Sequence, residues 1–425
     1  MKKIITILAN LVLITNVSIS VVSCDGFNQP SNNNGDGNTN GDGNTNGDGN
    51  TNGDNDTKVV LDKIENFYVL GDSLSDAGGY KNIAQSIIDN KNGQDKFTYD
   101  FSGSFKSAYF DNKYPSFSNG LPAVEWINQY LGLGSPMRPA GKLMNDDSSE
   151  KGHNYAVGGG RASSDITLSY GSSGIRSVPM KADLLSQSEA LISQHKLTNK
   201  DLVFFEIGGN DFLDAVSYYF TDKSKMKKVL DDFSNNLNKV FVNLTNTGAN
   251  ILFMNSPDMR YIPTIKGGEL DKNGNITDMS KIAPMVSETI HKDIDNLFYN
   301  EGLKLYKSFK SKYSKSVFMY DLYNNFNSII KDYSSLYKST FDKDLNTFNN
   351  YGYDTTTEQN NGKSLIQENK PVNGHEDDDI DSYFFIDQVH PTRYVHQYVG
   401  KLLYNYIDDY MLGGKHNLDL KIDKL

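Results

Sequence analysis

A serine, a histidine and an aspartate occupy positions from which each could serve the others. Ser73 lies in Gly71-Asp72-Ser73-Leu74-Ser75-Asp76, directly after the apolar run Phe67-Tyr68-Val69-Leu70. Asp387 and His390 stand three residues apart in Ile386-Asp387-Gln388-Val389-His390-Pro391-Thr392, directly after Tyr383-Phe384-Phe385. A serine hydroxyl is a weak nucleophile until an adjacent base takes its proton, and histidine is the usual base because its pKa lies near neutrality. The histidine needs a carboxylate to hold its tautomer, and the three-residue spacing lets one turn entering a helix present both side chains to one neighbourhood. Acyl transfer also needs hydrogen-bond donors for the oxyanion that develops at the attacked carbonyl. Asn210, in Gly208-Gly209-Asn210-Asp211, offers a side-chain amide, and the turn Asn154-Tyr155-Ala156-Val157-Gly158-Gly159-Gly160 offers backbone N–H groups.

The other polar residues read more plainly. Asp72 and Asp211 are expected to order loops through hydrogen bonds, and Asn154 to satisfy backbone in the glycine turn. Ser73, Ser75 and Asp76 are all competent helix N-caps, which is the structural alternative for Ser73. His396 lies six residues past His390 and so falls on another helix face. His153, His195, His291, His375 and His416 have no ligand spacing and no H-E-x-x-H motif occurs, so neither a metal nor another cofactor is expected. No G-x-S-x-G elbow is present, which argues against the α/β-hydrolase arrangement of the same chemistry. The formal net charge of −11 argues against nucleic acid as a partner and against adsorption to an anionic membrane by charge.

These residues must be positioned by an α/β scaffold. Residues 64–70, 202–207, 251–254 and 317–320 read as buried strands, with 155–157 as a candidate fifth. Amphipathic stretches at 224–246 and 282–313 read as helices, as does 391–411, which starts on Pro391, where a missing N–H costs nothing. Such alternation predicts a mostly parallel sheet covered on both faces, whose strand carboxyl ends form the ligand crevice. The three chemistry-bearing segments all follow apolar runs, as that crevice requires. The stretch near 335–382 is polar and Asn/Asp-rich and reads as a long insertion or mobile loop.

The N-terminus carries a different signal. Lys2 and Lys3 precede an apolar run interrupted by polar residues, too broken for a good membrane span. It ends at Val21-Val22-Ser23-Cys24, which resembles a bacterial lipobox, and Cys24 is the one cysteine of the chain. Residues 1–23 are therefore expected to be a lipoprotein signal peptide. Residues 24–58 would be a lipidated cysteine and a flexible tether, since repeats of Gly-Asp-Gly-Asn-Thr-Asn cannot bury enough apolar surface to fold. The tether resembles half of an EF-hand loop but lacks the bidentate glutamate that a calcium site needs. The globular domain is then 59–425, held at the extracytoplasmic face of a bacterial cell membrane through the acyl chains on Cys24.

Gly71-Asp72-Ser73-Leu74, the Asn154–Gly160 glycine turn, Gly209-Asn210-Asp211 and Asp387-x-x-His390-Pro391-Thr392 resemble, in order, the four sequence blocks of the GDSL (SGNH) lipase/esterase family. The segment Asn255-Ser256-Pro257-Asp258 resembles a further element of its longer members. The resemblance covers about residues 67–400 and is closest to the lysophospholipase, haemolysin and acyltransferase-like branch. It implies a flavodoxin-like three-layer α/β/α sandwich with no metal. It also implies a nucleophile at Ser73, a triad completed by Asp387 and His390, and an oxyanion hole from the Ser73 N–H, Gly159 and Asn210. Gly159 is preferred within the run Gly158-Gly159-Gly160. The expected function is hydrolysis of carboxylic esters, with lipid or lysophospholipid as the favoured substrate. A carbohydrate O-deacetylase or an acyltransferase would use the same site. A non-catalytic surface adhesin is the alternative of another class, and Ser73 set opposite a histidine speaks against it.

Overall fold

The computed structural model describes residues 61, 63–89, 98–100, 116–134, 137–139, 151–170, 176–219, 221–266, 288–350, 353–360, 364–371 and 379–424. The signal peptide, Cys24 and the tether expected over 1–58 lie outside the described residues. Four strands form the central sheet: β1 (Asn66–Leu70), β2 (Asp201–Glu206), β3 (Asn250–Met254) and β4 (Val317–Tyr320). They are all parallel and adjacent in that order, with Leu70 opposite Phe205 and Glu206 opposite Met254. Every residue of β2 and β3 is buried, which is why the centres of these strands read as continuous apolar runs and not as alternating ones.

The expected fifth strand, 155–157, lies parallel along the free edge of β1, but as a single bridge between Val69 and Asn154. Val69 donates to the His153 carbonyl at 2.9 Å and Tyr155 donates to the Val69 carbonyl at 2.7 Å. The next rung of the ladder would use the Gly71 N–H, which instead donates to Gln187 Oε1 at 2.8 Å. The Val157 N–H still donates to the Gly71 carbonyl at 3.2 Å, and after that contact the chain enters the glycine turn.

The longer helices of the described residues are α1 (Gly79–Asp89), α2 (Ala123–Tyr130), α3 (Leu184–Gln194), α4 (Gly209–Tyr219), α5 (Lys223–Thr245), α6 (Asn296–Lys312), α7 (Leu322–Phe341) and α8 (Arg393–Ile407). α3, α4 and α6 each pack on α5, whereas α8 packs on both α2 and α7. Successive side chains of a strand point to opposite faces, and β2 shows the consequence. Phe205 stacks on Phe253 and meets Phe241 of α5 edge-on, with centroids 5.0 and 5.3 Å away. Its neighbour Phe204 faces Ala123 of α2, Phe326 of α7 and Val395 of α8 across a small cavity. The result is a three-layer α/β/α sandwich around a parallel sheet. Among the described residues no helix is long and apolar enough to cross a membrane.

Two boundaries differ from the sequence reading. The polar stretch expected near 335–382 begins inside α7, which runs on to Phe341 because Phe326, Ile329, Ile330, Tyr333 and Tyr337 repeat at helical spacing and are buried. Strands at Asn346–Asn350, Tyr353–Asn360 and Ser364–Pro371 follow, so this region is not simply loop. The last helix, expected to start on Pro391, starts at Arg393. Pro391 instead bridges Phe385, and Thr392 donates to the Phe384 carbonyl at 3.0 Å, closing a tight loop over 386–390.

That loop is fastened from outside. Arg393 pairs with Asp381, and Asn119 joins both, donating to Asp381 Oδ1 at 2.8 Å and accepting the Arg393 N–H at 2.8 Å. Ser118 donates its hydroxyl to the Pro391 carbonyl at 3.0 Å. Asp381 is buried and Arg393 largely so, so removing one partner strands the other charge. Asp381→Ala should therefore destabilise the protein by about 3–5 kcal/mol, read as the shift of the urea unfolding midpoint at constant slope. A loss below about 1 kcal/mol would mean that Arg393 reaches solvent when unpaired.

Candidate active site

The ends of β1 and β2 lie side by side, and the loops leaving them meet the 386–390 loop. His390 Nε2 lies 2.7 Å from Ser73 Oγ, and His390 Nδ1 lies 2.6 Å from Asp387 Oδ2. The other oxygen of Asp387 accepts the N–H groups of Val389 and His390 at 2.8 and 2.7 Å. The three-residue spacing thus works through a turn built on the aspartate itself, and not through a helical turn. With Asp387 anchored at both oxygens, the imidazole is held by Nδ1 and turns Nε2 to the serine. The Phe117 ring, 5.3 Å from the His390 ring between centroids, covers its side.

The electrostatics suit proton transfer. Burial works against charge on His390, but the charge and hydrogen bond of Asp387, with Asp72 behind, outweigh it and hold the imidazole above its ordinary value. Partial burial would raise Asp387, yet the His390 charge and the two backbone N–H groups hold it below the usual carboxylate range. Asp387 is held as the anion, and His390 in its neutral form can take a proton from the hydroxyl it touches. His396, by contrast, is buried and pushed down to about 3, first by desolvation and then by His390. It stays neutral, and its Nδ1 accepts the Ala123 N–H at 3.2 Å.

The donors for an oxyanion gather on the other side of Ser73. The glycine turn packs against the β1 turn so closely that a Cβ on Gly160 would lie 2.6 Å from the Gly71 carbonyl oxygen. Within the turn the Gly158 N–H donates to Asp76 Oδ2 at 2.7 Å and the Gly160 N–H to the Val157 carbonyl at 2.8 Å. Gly159, in the left-handed region with φ +77°, has its N–H committed to no group among the described residues. The same holds for the N–H of Ser73. Asn210, at the start of α4, points its Nδ2 at Asp72 Oδ2 (3.2 Å) and at the Gly160 carbonyl (3.1 Å).

The neighbouring polar residues hold this frame. Asp76 takes the capping position ahead of α1, accepting the N–H groups of Gly78, Gly79 and Tyr80 as well as that of Gly158. Burial pushes its carboxyl up to about 6 against those four bonds. Ser73 is therefore left out of capping. Asp211 accepts the N–H groups of Ala162 and Ser163, and Asn154 accepts that of Ala156 while donating to the Ser75 carbonyl, both as loop-ordering groups. Arg161, paired with Asp214, donates to the Gly159 carbonyl at 2.6 Å.

Sequence reasoning missed four contributors. Phe117, Gln187 and Glu206 sit in apolar or polar stretches without a motif, and Arg161 directly follows the glycine run. Only the position of Glu206, a charged residue directly after the apolar run Leu202–Phe205, carried a signal. Gln187 clasps the Gly71 peptide from both sides, accepting its N–H and donating to its carbonyl at 2.9 Å. Glu206 is buried; its Oε1 accepts the Asp72 N–H at 2.9 Å, and its carboxyl group also bonds the Asp72 carboxylate and Ser75. Burial and the neighbouring Asp72 push Glu206 well above the carboxylate range, so it holds the proton of this pair.

Among the described residues one group has the geometry to hold a cation: Asp258, His291 and Asp295, with ligand atoms within 4.8 Å of one another. Both oxygens of Asp258 already accept from Arg260, and burial beside Asp258 pushes Asp295 up to about 8. The cluster thus balances its own charge, and it holds the segment from which Thr264 donates to the Gln388 carbonyl of the 386–390 loop.

No curated protein matches the chain in sequence. The GDSL-like Lipase/Acylhydrolase family matches residues 67–403, from the start of β1 into α8 and across every segment described above. The chain belongs to the GDSL-like lipase/acylhydrolase family, a family of ester hydrolases.

Proposed function

We propose that this protein is a serine hydrolase that cleaves lipid or lysophospholipid acyl esters through an acyl-enzyme on Ser73. The observation that carries the reading is the continuous chain Ser73 Oγ–His390–Asp387, with its two contacts of 2.7 and 2.6 Å. His390 takes the hydroxyl proton as the oxygen attacks the ester carbonyl, then returns it to the leaving alcohol. Water repeats the sequence on the acyl-enzyme, whereas an alcohol in its place would make the same site an acyltransferase. The N–H groups of Ser73 and Gly159 and the Asn210 amide stabilise the oxyanion.

The acyl specificity rests on the cavity below the catalytic loop. It is about 60 Å³ and almost wholly apolar, and its wall includes Leu74 and Val389, the direct neighbours of Ser73 and His390. Phe204, Phe326 and Leu403 line it farther into the α2/α7/α8 layer. A lipid acyl chain suits such a lining. The small volume favours a second reading, a carbohydrate O-deacetylase, because the space is well below the roughly 150 Å³ cavity that admits benzene.

A p-nitrophenyl ester series from acetate to palmitate separates these readings. A rate peak at medium or long chains supports the lipid reading, a peak at acetate the deacetylase, and no turnover with any ester a binding protein. Ser73→Ala should lower kcat by about 10⁴–10⁶, and Ser73→Ala with His390→Ala together should lose no more than either alone.

The pH profile tests the base. Only neutral His390 can accept the serine proton, so kcat/KM rises with pH through the pKa of free-enzyme His390. That acid limb should lie above the usual histidine value of about 6.5. Asp387→Asn removes the anion that favours the imidazolium, so the residual activity should show its acid limb at lower pH. A limb that stayed in place would assign it to another group.

The location follows from Cys24. We propose that acyl chains there hold the domain at the extracytoplasmic face of a bacterial membrane, where ester-linked lipids are at hand. Cys24→Ser should move the protein from the detergent phase to the aqueous phase, with kcat on a water-soluble ester unchanged within about twofold. A mutant that remained in the detergent phase would point to a lipid-binding surface on the domain itself.

A further inference from the structure

Asn210 is the one donor of the oxyanion site carried by a side chain, and a side-chain amide is free to rotate. Something must hold it. Two acceptors surround its Nδ2: the Gly160 carbonyl at 3.1 Å and Asp72 Oδ2 at 3.2 Å. Asp72 is itself fixed from three directions. Its Oδ1 accepts the Leu74 N–H at 3.0 Å, its own N–H donates to Glu206 Oε1 at 2.9 Å, and its carboxylate bonds the Glu206 carboxyl group. The Glu206 carboxyl group packs on the Gly71 backbone, where a Cβ would lie 2.5 Å from Oε1, and the Ser75 hydroxyl holds the same group. All three acids and serines of this relay, Asp72, Ser75 and Glu206, are buried, and the strand register that sets Leu70 opposite Phe205 brings them together.

We propose that Glu206 is a positioning residue for catalysis: as a neutral acid it holds Asp72, and Asp72 holds the Asn210 amide in the orientation that meets the oxyanion. The inference rests on the reading of the site as an ester hydrolase with Ser73 as nucleophile. A protonated carboxyl group is the one acidic form that can accept the Asp72 N–H with one oxygen and donate to the Asp72 carboxylate with the other. An ionised Glu206 would face a second anion with no proton between them. Of the two Nδ2 hydrogens of Asn210, Asp72 retains one, and the hydrogen resting on the Gly160 carbonyl is the one the developing oxyanion takes. Glu206 touches neither substrate nor the reacting atoms, so its effect falls on the transition state and leaves substrate binding alone.

A glutamine at 206 has the same donor and acceptor as the neutral acid, which makes the test specific. Glu206→Ala should lower kcat roughly 10–100-fold with KM within about twofold, less than the loss on removing an oxyanion donor outright, roughly 10²–10³-fold. Glu206→Gln should recover all but about threefold of kcat. In a double-mutant cycle, Glu206→Ala added to Asn210→Ala should cost less than about threefold further, because the group it orients is gone. If Glu206→Ala does not fold, as judged by near-UV circular dichroism, Asp72→Asn takes its place with the same expected loss and the same non-additivity with Asn210→Ala. Folded Glu206→Ala or Asp72→Asn with wild-type kcat overturns the proposal, as does a loss fully additive with Asn210→Ala or a Glu206→Gln as impaired as the alanine. Wild type and Ser73→Ala are run beside them on the same ester: an inactive wild type counts against the ester-hydrolase reading, whereas an active wild type with unaffected variants counts against the relay alone.

Discussion

The parallel pairing of β1 with β2 is the contact on which the site depends. With Leu70 opposite Phe205, the residues that follow, Gly71 and Asp72, come to rest against Glu206 at the end of the neighbouring strand. The β1 turn is then gripped from two sides, by Gln187 on the Gly71 peptide and by Glu206 on Asp72. A buried peptide group that leaves its ladder must find other partners. Here the N–H groups of Gly71 and Asp72 find two buried side chains, while the Gly71 carbonyl accepts from both the Gln187 amide and the Val157 N–H that leads into the glycine turn. The same few hydrogen bonds thus take over from the ladder at the end of β1 and build the floor under Ser73.

From that floor the polar residues divide into two sets. Asp72, Asp76, Asn154 and Asp211 are buried and spend their hydrogen bonds on backbone N–H groups or neighbouring amides. They give precision at the cost of desolvation, and the raised carboxyl groups of Asp76 and Asp211 show the size of that opposition. Ser73, Gly159, Asn210, Asp387 and His390 are less enclosed. Among the described residues, no acceptor takes the N–H groups of Ser73 and Gly159. Uncommitted donors beside a hydroxyl that already faces a base are what an acyl-transfer site requires.

His390 reaches this floor from 317 positions along the chain. Its loop is closed by Ile386 donating to the His390 carbonyl and is tied down by Ser118, Asn119, Asp381 and Arg393. The segment 116–119 therefore serves the site twice: its polar residues fasten the loop, while Phe117 flanks the imidazole and leaves room at position 158 for glycine alone. A cluster of Asp258, Arg260, His291 and Asp295 supports the loop from the other side through Thr264.

Local signals in the sequence determined the strands, most helices and the residues Ser73, Asp387 and His390. Periodicity, glycine turns and the order of short motifs are properties of neighbouring residues and survive without any knowledge of packing. The same locality explains the errors. Polar residues on the outer face of α7 hid its buried stripe of aromatics, and Pro391 was read as a helix start although its partner, Phe385, lies across a loop. What only the tertiary structure decided was pairing over long separations. Glu206 gave no hint of a proton shared with Asp72, nor Gln187 of a clasp on Gly71. The run Gly158-Gly159-Gly160 became distinguishable only when Asp76 and Val157 were seen to take two of its three N–H groups. The physical reason is that a buried polar group is defined by the partner that satisfies it, and here each partner comes from a distant part of the chain or from a turn whose closure the sheet decides.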